Sequence, residues 1–200
     1  MHIAIARTKV IFFILACLLV FSINALYALN VTFIGTSDSA YYAQLGKSVG
    51  AGKGFTIDTI GYFIVHYPKT ITHPDEVHDP LQPILLAILF KLFGTAPAVA
   101  IIPSMIFAFI LTPILTWRLA RKFVSENWAL LAGIFTLLNP LHQALYGWSE
   151  PMFTMLTTAG ILLFVKSTKD PKYYVYTGVI LGLAGLTRRS GYFFILFFII

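Results

Sequence analysis

Long uncharged runs separated by short clusters of charge set the pattern of the chain. Arg7 and Lys9 precede Val10 to Ala28, 19 residues without a charge. At about 1.5 Å per residue such a helix covers a hydrocarbon core of about 30 Å. A cleaved signal peptide begins in the same way. No small-x-small site follows, however, and further apolar runs do, so a retained first helix is expected. Leu92 to Trp117 is uncharged for 26 residues and closes on Arg118, Arg121 and Lys122. Asn127 to Trp148 reads as a third span, with Asn139-Pro140 and His142 in its outer half. Ser149 and Glu150 mark a short turn before a fourth span, Pro151 to Val165, which ends at Lys166, Lys169 and Lys172. Tyr173 to Thr187 forms the fifth, and Gly178, Gly182 and Gly185 predict a small-residue face for close packing. Gly191 to Ile200 begins a sixth and is too short to cross, so the chain is expected to be a piece of a longer module.

Between the first two runs the pattern breaks. Gly35 to Gly94 holds five of the eight acidic residues and three of the five histidines. Ser37 or Asp38 can cap a short helix reaching about Val49, where Gly50, Gly52 and Gly54 stop it. Tyr41, Leu45 and Val49 place an apolar face on that helix, which suits one lying on a membrane surface. Thr56 to His66 alternates loosely and reads as extended. Leu81 to Phe90, ending in Lys91, reads as a second interfacial helix. Residues 29–91 thus form one extracytoplasmic loop within a single transmembrane domain, 1–200.

Composition sharpens this reading. Apolar residues make up 58% of the chain and charged residues 11%, less than half the share of a soluble domain, with a mean hydropathy of +0.82. The expected class is an all-α polytopic membrane protein, which excludes a soluble enzyme. The net charge of +6 then reports topology, not nucleic-acid binding. Arg7, Lys9, Arg118, Arg121, Lys122, Lys166, Lys169 and Lys172 all fall at cytoplasmic ends if the N-terminus is cytoplasmic. The expected location is a bacterial or archaeal cell membrane, crossed several times. Cys17, the single cysteine, excludes an intramolecular disulfide and a thiolate cluster. Arg188 and Arg189 fall at the outer end of the fifth span, against the positive-inside tendency, and phosphate is the ligand that fits them.

Cofactor motifs fail on inspection. In G-A-G-K-G, Gly50 to Gly54, the lysine is followed by glycine where a phosphate loop needs Ser or Thr. G-K-S at 46–48 lacks the first glycine, since Tyr41 stands there. No G-x-G-x-x-G follows a strand, so no dinucleotide fold and no cofactor are expected. His66, His73, Asp75, Glu76, His78 and Asp79 are metal-ligand types, but their spacing matches no standard site and a solvated polar loop is the better reading. His142 reads as a hydrogen-bonded interior histidine. Asp38 is either a helix cap or a functional carboxylate, Glu150 in W-S-E-P has the same two readings, and the arginine pair either binds phosphate or reaches lipid headgroups. Tyr41, Tyr42, His78 and Glu150 share the outer side with Asp38 and are expected to line a substrate pocket.

Four segments occur in order: D-S-A-Y-Y-A-Q-L-G-K-S-V, P-L-Q-P-I-L-L-A-I-L-F-K-L-F-G, L-N-P with Y-G-W-S-E-P-M-F-T, and G-V-I-L-G-L-A-G-L-T-R-R-S-G. Together they resemble the N-terminal half of the GT-C membrane glycosyltransferases. The similarity is greatest to the bacterial and archaeal group related to protein O-mannosyltransferases and lipid A aminoarabinose transferases. The resemblance implies a GT-C-like helical bundle that transfers a sugar, with inversion, from a polyprenyl-phosphate donor. The acceptor would be a lipid, glycan or protein at the outer membrane face. It maps the family's first-loop base onto Asp38. Many relatives carry a second acid next; here that position is Ser39, so a two-carboxylate scheme does not carry over. A transporter or lipid flippase is the rival reading, but its ionisable residues would lie deep within spans, and no broken-helix pair repeats here. A truncated, non-catalytic membrane subunit is the other.

Overall fold

The computed structural model describes residues 2–34, 38–58, 71–144 and 146–199. Ser37, the extended stretch beyond residue 58 up to His66, and Ile200 lie outside the described residues. The chain is mostly helical. Helix α1, His2–Leu29, is followed by α2, Asp38–Gly50. A two-residue antiparallel ladder comes next: β1, Thr56–Ile57, pairs with β2, His73–Pro74, with Ile57 opposite His73. Then come α3, Leu81–Phe93, and a long helix built from α4, Pro97–Ile106, a π-turn over Phe107–Leu111, and α5, Thr112–Ala120. Helices α6, Glu126–Leu137, α7, Leu141–Ala144, α8, Glu150–Ser167, α9, Lys172–Thr187, and α10, Gly191–Ile199, complete the chain.

Two helices are long and apolar enough to cross a membrane, Thr8–Leu29 and Pro97–Ala120. The first is greasy outside as well as in, with Phe12, Leu15 and Leu19 exposed, and Phe135 of α6 and Val175 and Val179 of α9 are exposed too. An apolar surface of this extent suits hydrocarbon and not water.

The second long helix starts later than its uncharged run. Leu92 and Phe93 belong to α3, and Gly94, at φ 81°, separates the two elements. The third run is not one helix. α6 has 12 residues, about 18 Å, and breaks at Asn139-Pro140, where the proline cannot donate to the ladder. Asn139 Oδ1 instead accepts from the Leu141 N–H at 3.1 Å, and the short α7 resumes from there.

Three groups of buried side chains hold the bundle. Phe13 and Cys17 of α1 share one with Met105, Phe109, Trp117 and Leu130. Tyr42 and Ala43 of α2 share another with Leu86 and Phe90 of α3 and with Ala100. Met152 and Leu156 of α8 pack with Ala184 of α9 in the third, which Leu81 and Leu85 of α3 also touch. Helix α2 is therefore not an isolated surface helix. Leu45 is fully buried, and Gly46 lies so near α3 that a Cβ there would be 2.7 Å from the Leu86 Cβ.

Close packing of α8 on α9 also differs from the expected glycine face. A Cβ on Gly178 or Gly182 would meet nothing within 4 Å. The approach is made by Gly160 of α8, where a Cβ would fall 2.5 Å from Leu181, while Gly185 faces the Tyr192 ring of α10.

The charges gather at the two ends of α8. At the Lys166 end, Arg118, Arg121 and Lys122 line a common cavity with Lys166, and Lys9 of α1 donates to Asn127 at 2.8 Å near the Arg121–Glu126 pair. The Glu150 end carries Arg188. Sixteen residues of helix place these ends about 24 Å apart.

Candidate active site

Position begins with the backbone. Asp38 opens α2, and one turn later Tyr42 points inward, 4% exposed. Gly147, at φ 77°, lets the chain after α7 turn against α2, with its Cβ position 3.1 Å from the Ser39 Cβ. Its N–H donates to the buried Ser104 hydroxyl at 2.9 Å, which ties that turn to the long helix. The turn delivers Ser149, fully buried, to the Tyr42 hydroxyl at 3.0 Å. Glu150 then starts α8, and Arg188 follows α9 in extended backbone.

Arg188 closes the cluster. Its Nη1 donates to Glu150 Oε1 and reaches Ser149 Oγ at 3.4 Å. The second Glu150 oxygen is buried and has no hydrogen-bond partner among the described residues. Burial pushes the Tyr42 phenol up to about 12; the Ser149 bond opposes this, the Asp38 charge reinforces it, Arg188 opposes and Glu150 reinforces. Tyr42 is thus a neutral hydroxyl at physiological pH, a hydrogen-bonding group and not a base. Arg188 and Glu150 reach this phenol by way of Ser149, and Asp38 lies one turn before it on α2.

Tyr41 and His78 form an adjoining wall. The His78 ring stacks on Tyr41 at 5.1 Å and meets Tyr42 edge-on at 5.0 Å. Asp75 fixes that ring, taking the His78 N–H on Oδ2 at 2.8 Å and facing Nδ1 with Oδ1 at 3.0 Å. Burial raises the Asp75 carboxyl, but hydrogen bonds from the His78 side chain and N–H, the His78 charge and the Val77 N–H together hold it below its ordinary value. This loop is therefore an ordered Asp–His turn packed on two tyrosines. Among the described residues no group of three His, Cys, Asp or Glu could hold a metal ion.

The arginine pair does not act as one unit. Arg189 turns to the loop, where its N–H donates to Asp79 Oδ2 at 3.0 Å and its Nη2 to the Glu76 carbonyl at 2.8 Å. It clamps the segment carrying His78, while Arg188 faces Tyr42 and Ser149. The structure thus gathers Asp38, Tyr42, Glu150 and Arg188, sets Tyr41 and His78 beside them, and gives Arg189 a separate place.

Sequence reasoning missed Ser149, Asp75 and Asp79 as parts of the site. The D-x-x-H spacing of Asp75 and His78 was a readable signal for a side-chain-stabilised turn. Nothing in W-S-E-P showed that its serine would be fully buried. Gln82, at the start of α3, is also fully buried, and neither amide atom has a partner among the described residues.

Chemically, the cluster offers a guanidinium beside two hydroxyls with a carboxylate as its resting partner, and a second carboxylate at a helix N-terminus. A guanidinium held by one carboxylate can accept a phosphate oxyanion in the same fork.

Comparison with known proteins gives a family. Residues 72–200 match the family described as dolichyl-phosphate-mannose-protein mannosyltransferase. The match includes His78, Ser149, Glu150 and Arg188, and begins after Asp38. No curated protein and no solved structure matches the chain.

Proposed function

The chain belongs to the dolichyl-phosphate-mannose-protein mannosyltransferase family, a glycosyltransferase family of the GT-C superfamily, and on that premise we propose a multi-pass membrane enzyme with a cytoplasmic N-terminus. It transfers a sugar from a polyprenyl-phosphate donor to a lipid, glycan or protein acceptor at the extracytoplasmic face of the cell membrane, with inversion. Asp38 takes the proton of the acceptor hydroxyl as the oxygen attacks the anomeric carbon, and the bond from that carbon to the carrier phosphate breaks. Arg188 receives the phosphate as its charge grows, exchanging Glu150 for the leaving group. Glu150, with its second oxygen buried and unpartnered, and the aromatic wall of Tyr41, Tyr42 and His78 hold the sugar. Arg189 positions the loop that carries His78.

The observation that carries this reading is the meeting of three distant segments at Ser149: α2 through the Tyr42 hydroxyl, the Ser149-Glu150 turn itself, and Arg188. The test is sugar transfer from radiolabelled polyprenyl-phosphate sugars by membranes containing the protein. Loss of a positioned base costs about 10² to 10⁴ in rate, so Asp38→Asn should lose transfer on that scale at unchanged abundance. Near-normal transfer by Asp38→Asn would leave Asp38 as a cap alone.

A further inference from the structure

Away from this site, at the Lys166 end of α8, four cations surround one cavity. Arg118, Arg121, Lys122, Lys166 and Leu162 line a space of about 230 Å³. Their charge is not matched locally. Arg121 pairs with Glu126 at 2.7 Å, and Trp117 Nε1 donates to the other Glu126 oxygen at 2.9 Å. Among the described residues Arg118 and Lys122 have no acidic partner. The C-terminal ends of α5 and α8 are here too, and each contributes about −0.5 of a charge. Four cations less Glu126 and those two ends still leave a charge of about +2.

Two further features make this a formed site and not a scatter of surface cations. Arg121 is held in place, with its guanidinium 5.1 Å from the Trp117 ring centre as well as on Glu126. The Lys166 ammonium lies 5.4 Å from the Tyr173 ring centre, so it too is directed. The last carbonyls of α8 are partly occupied, by Ser167 Oγ on Phe164 and Thr168 Oγ1 on Val165, which reduces their opposition to an anion.

The geometry points to a second phosphate site in this cavity, filled by the headgroup of an anionic phospholipid or by a free phosphate. Basic pockets between membrane helices take such headgroups, and the cavity lies at the end of Pro97–Ala120, one of the helices long enough to cross. The lipid source depends on these helices crossing a membrane; the phosphate chemistry does not. Sugar transfer plays no part in the test, so failure here and failure of the transferase reading are distinct.

Native mass spectrometry of the full chain in detergent counts retained phosphatidylglycerol against phosphatidylcholine, while thermal melting is followed with inorganic pyrophosphate. Wild type should retain phosphatidylglycerol selectively, and Arg118→Gln/Lys122→Gln should lose about 30-fold in affinity. Lys47→Gln/Lys53→Gln removes the same charge from exposed positions elsewhere and should retain wild-type binding. Lys122→Glu, a single exposed position, repeats the test with reversed charge. Stabilisation by pyrophosphate without lipid selectivity would support the site with a free anion as its source. Equal phosphatidylglycerol retention by every variant, with no response to pyrophosphate, overturns the proposal.

Discussion

The two ends of α8 treat charge in opposite ways. At the Glu150 end each arginine has its own carboxylate, Glu150 for Arg188 and Asp79 for Arg189, and the His78 ring faces Asp75. At the Lys166 end, one carboxylate, Glu126, faces the cavity of Arg118, Arg121, Lys122 and Lys166, and Asp170 just beyond it is taken up by Lys172. Pairing fixes a side chain in space and offsets its desolvation, which a reacting group needs. An unmatched cluster instead projects a field, which suits topology and the attraction of anions. On the proposed readings, the difference separates a site built for geometry from one built for potential.

The sharpest way to break that comparison is to remove one cation from each end. Arg188→Ala should lower transfer about 10²- to 10³-fold, as for other electrostatic stabilisers of a leaving group. Arg188→Lys should fall between, because it keeps the charge and loses the fork. Lys169→Ala, beside the basic end, should leave transfer at the wild-type rate. Equal donor affinity for wild type, Arg188→Lys and Arg188→Ala would make Arg188 a membrane anchor.

A smaller effect tests the pairing itself. Glu150→Gln should destabilise the protein by about 1 kcal/mol, since the pair is partly exposed and screened. In a double-mutant cycle with Arg188→Ala the two losses should fall short of additive. Strict additivity in thermal melts would show that the pair contributes nothing.

The Asp75–His78 turn sharpens the comparison through pH. The folded Asp75 carboxyl titrates below its unfolded value of about 3.9. Its contribution is therefore fully present above that unfolded value and lost as pH falls through the folded one. Wild type should melt above Asp75→Asn at neutral pH, and the gap should close below about pH 4. A gap that persists in acid would assign the effect to shape and not to charge.

The smallest effect belongs to the basic end. Arg121→Gln breaks an exposed pair and should cost less than about 1 kcal/mol in a thermal melt. A larger loss would mean that this end, too, is held by its charges.

How much of this was legible depends on what kind of information each feature needs. Helix α2 was readable from its own residues: Gly52 and Gly54 both take positive φ just beyond its end. Arg188 stood out in the sequence because, with the N-terminus expected in the cytoplasm, a cation there goes against the positive-inside tendency. Which glycine brings α8 to α9 was not readable. Gly178 and Gly182 have the right spacing, but Gly160 faces a partner, and only tertiary packing decides that. The burial of Ser149 is of the same kind, set by Tyr42, 107 residues away. The broken third span carried its own signal in Asn139-Pro140, outweighed in the reading by the absence of charge.

The π-turn in the long helix has a consequence for rotation. Met105 and Trp117 are twelve residues apart, which in an unbroken α-helix would set them about 120° from one another around the axis. A turn closed i to i+5 takes up one extra residue, so the second half is wound back and the two come within about 20°. Pro113, unable to donate, and Thr112, whose hydroxyl reaches the Phe107 carbonyl at 2.7 Å, hold that turn. Both Met105 and Trp117 accordingly join Phe13 and Cys17 in one core. The turn works like a vernier: winding those residues as plain α-helix with none deleted would shift Trp117, and with it the Arg121 and Glu126 it steadies, about a quarter of the way around the helix, while deleting one residue between Phe107 and Leu111 would leave Trp117 facing the same core.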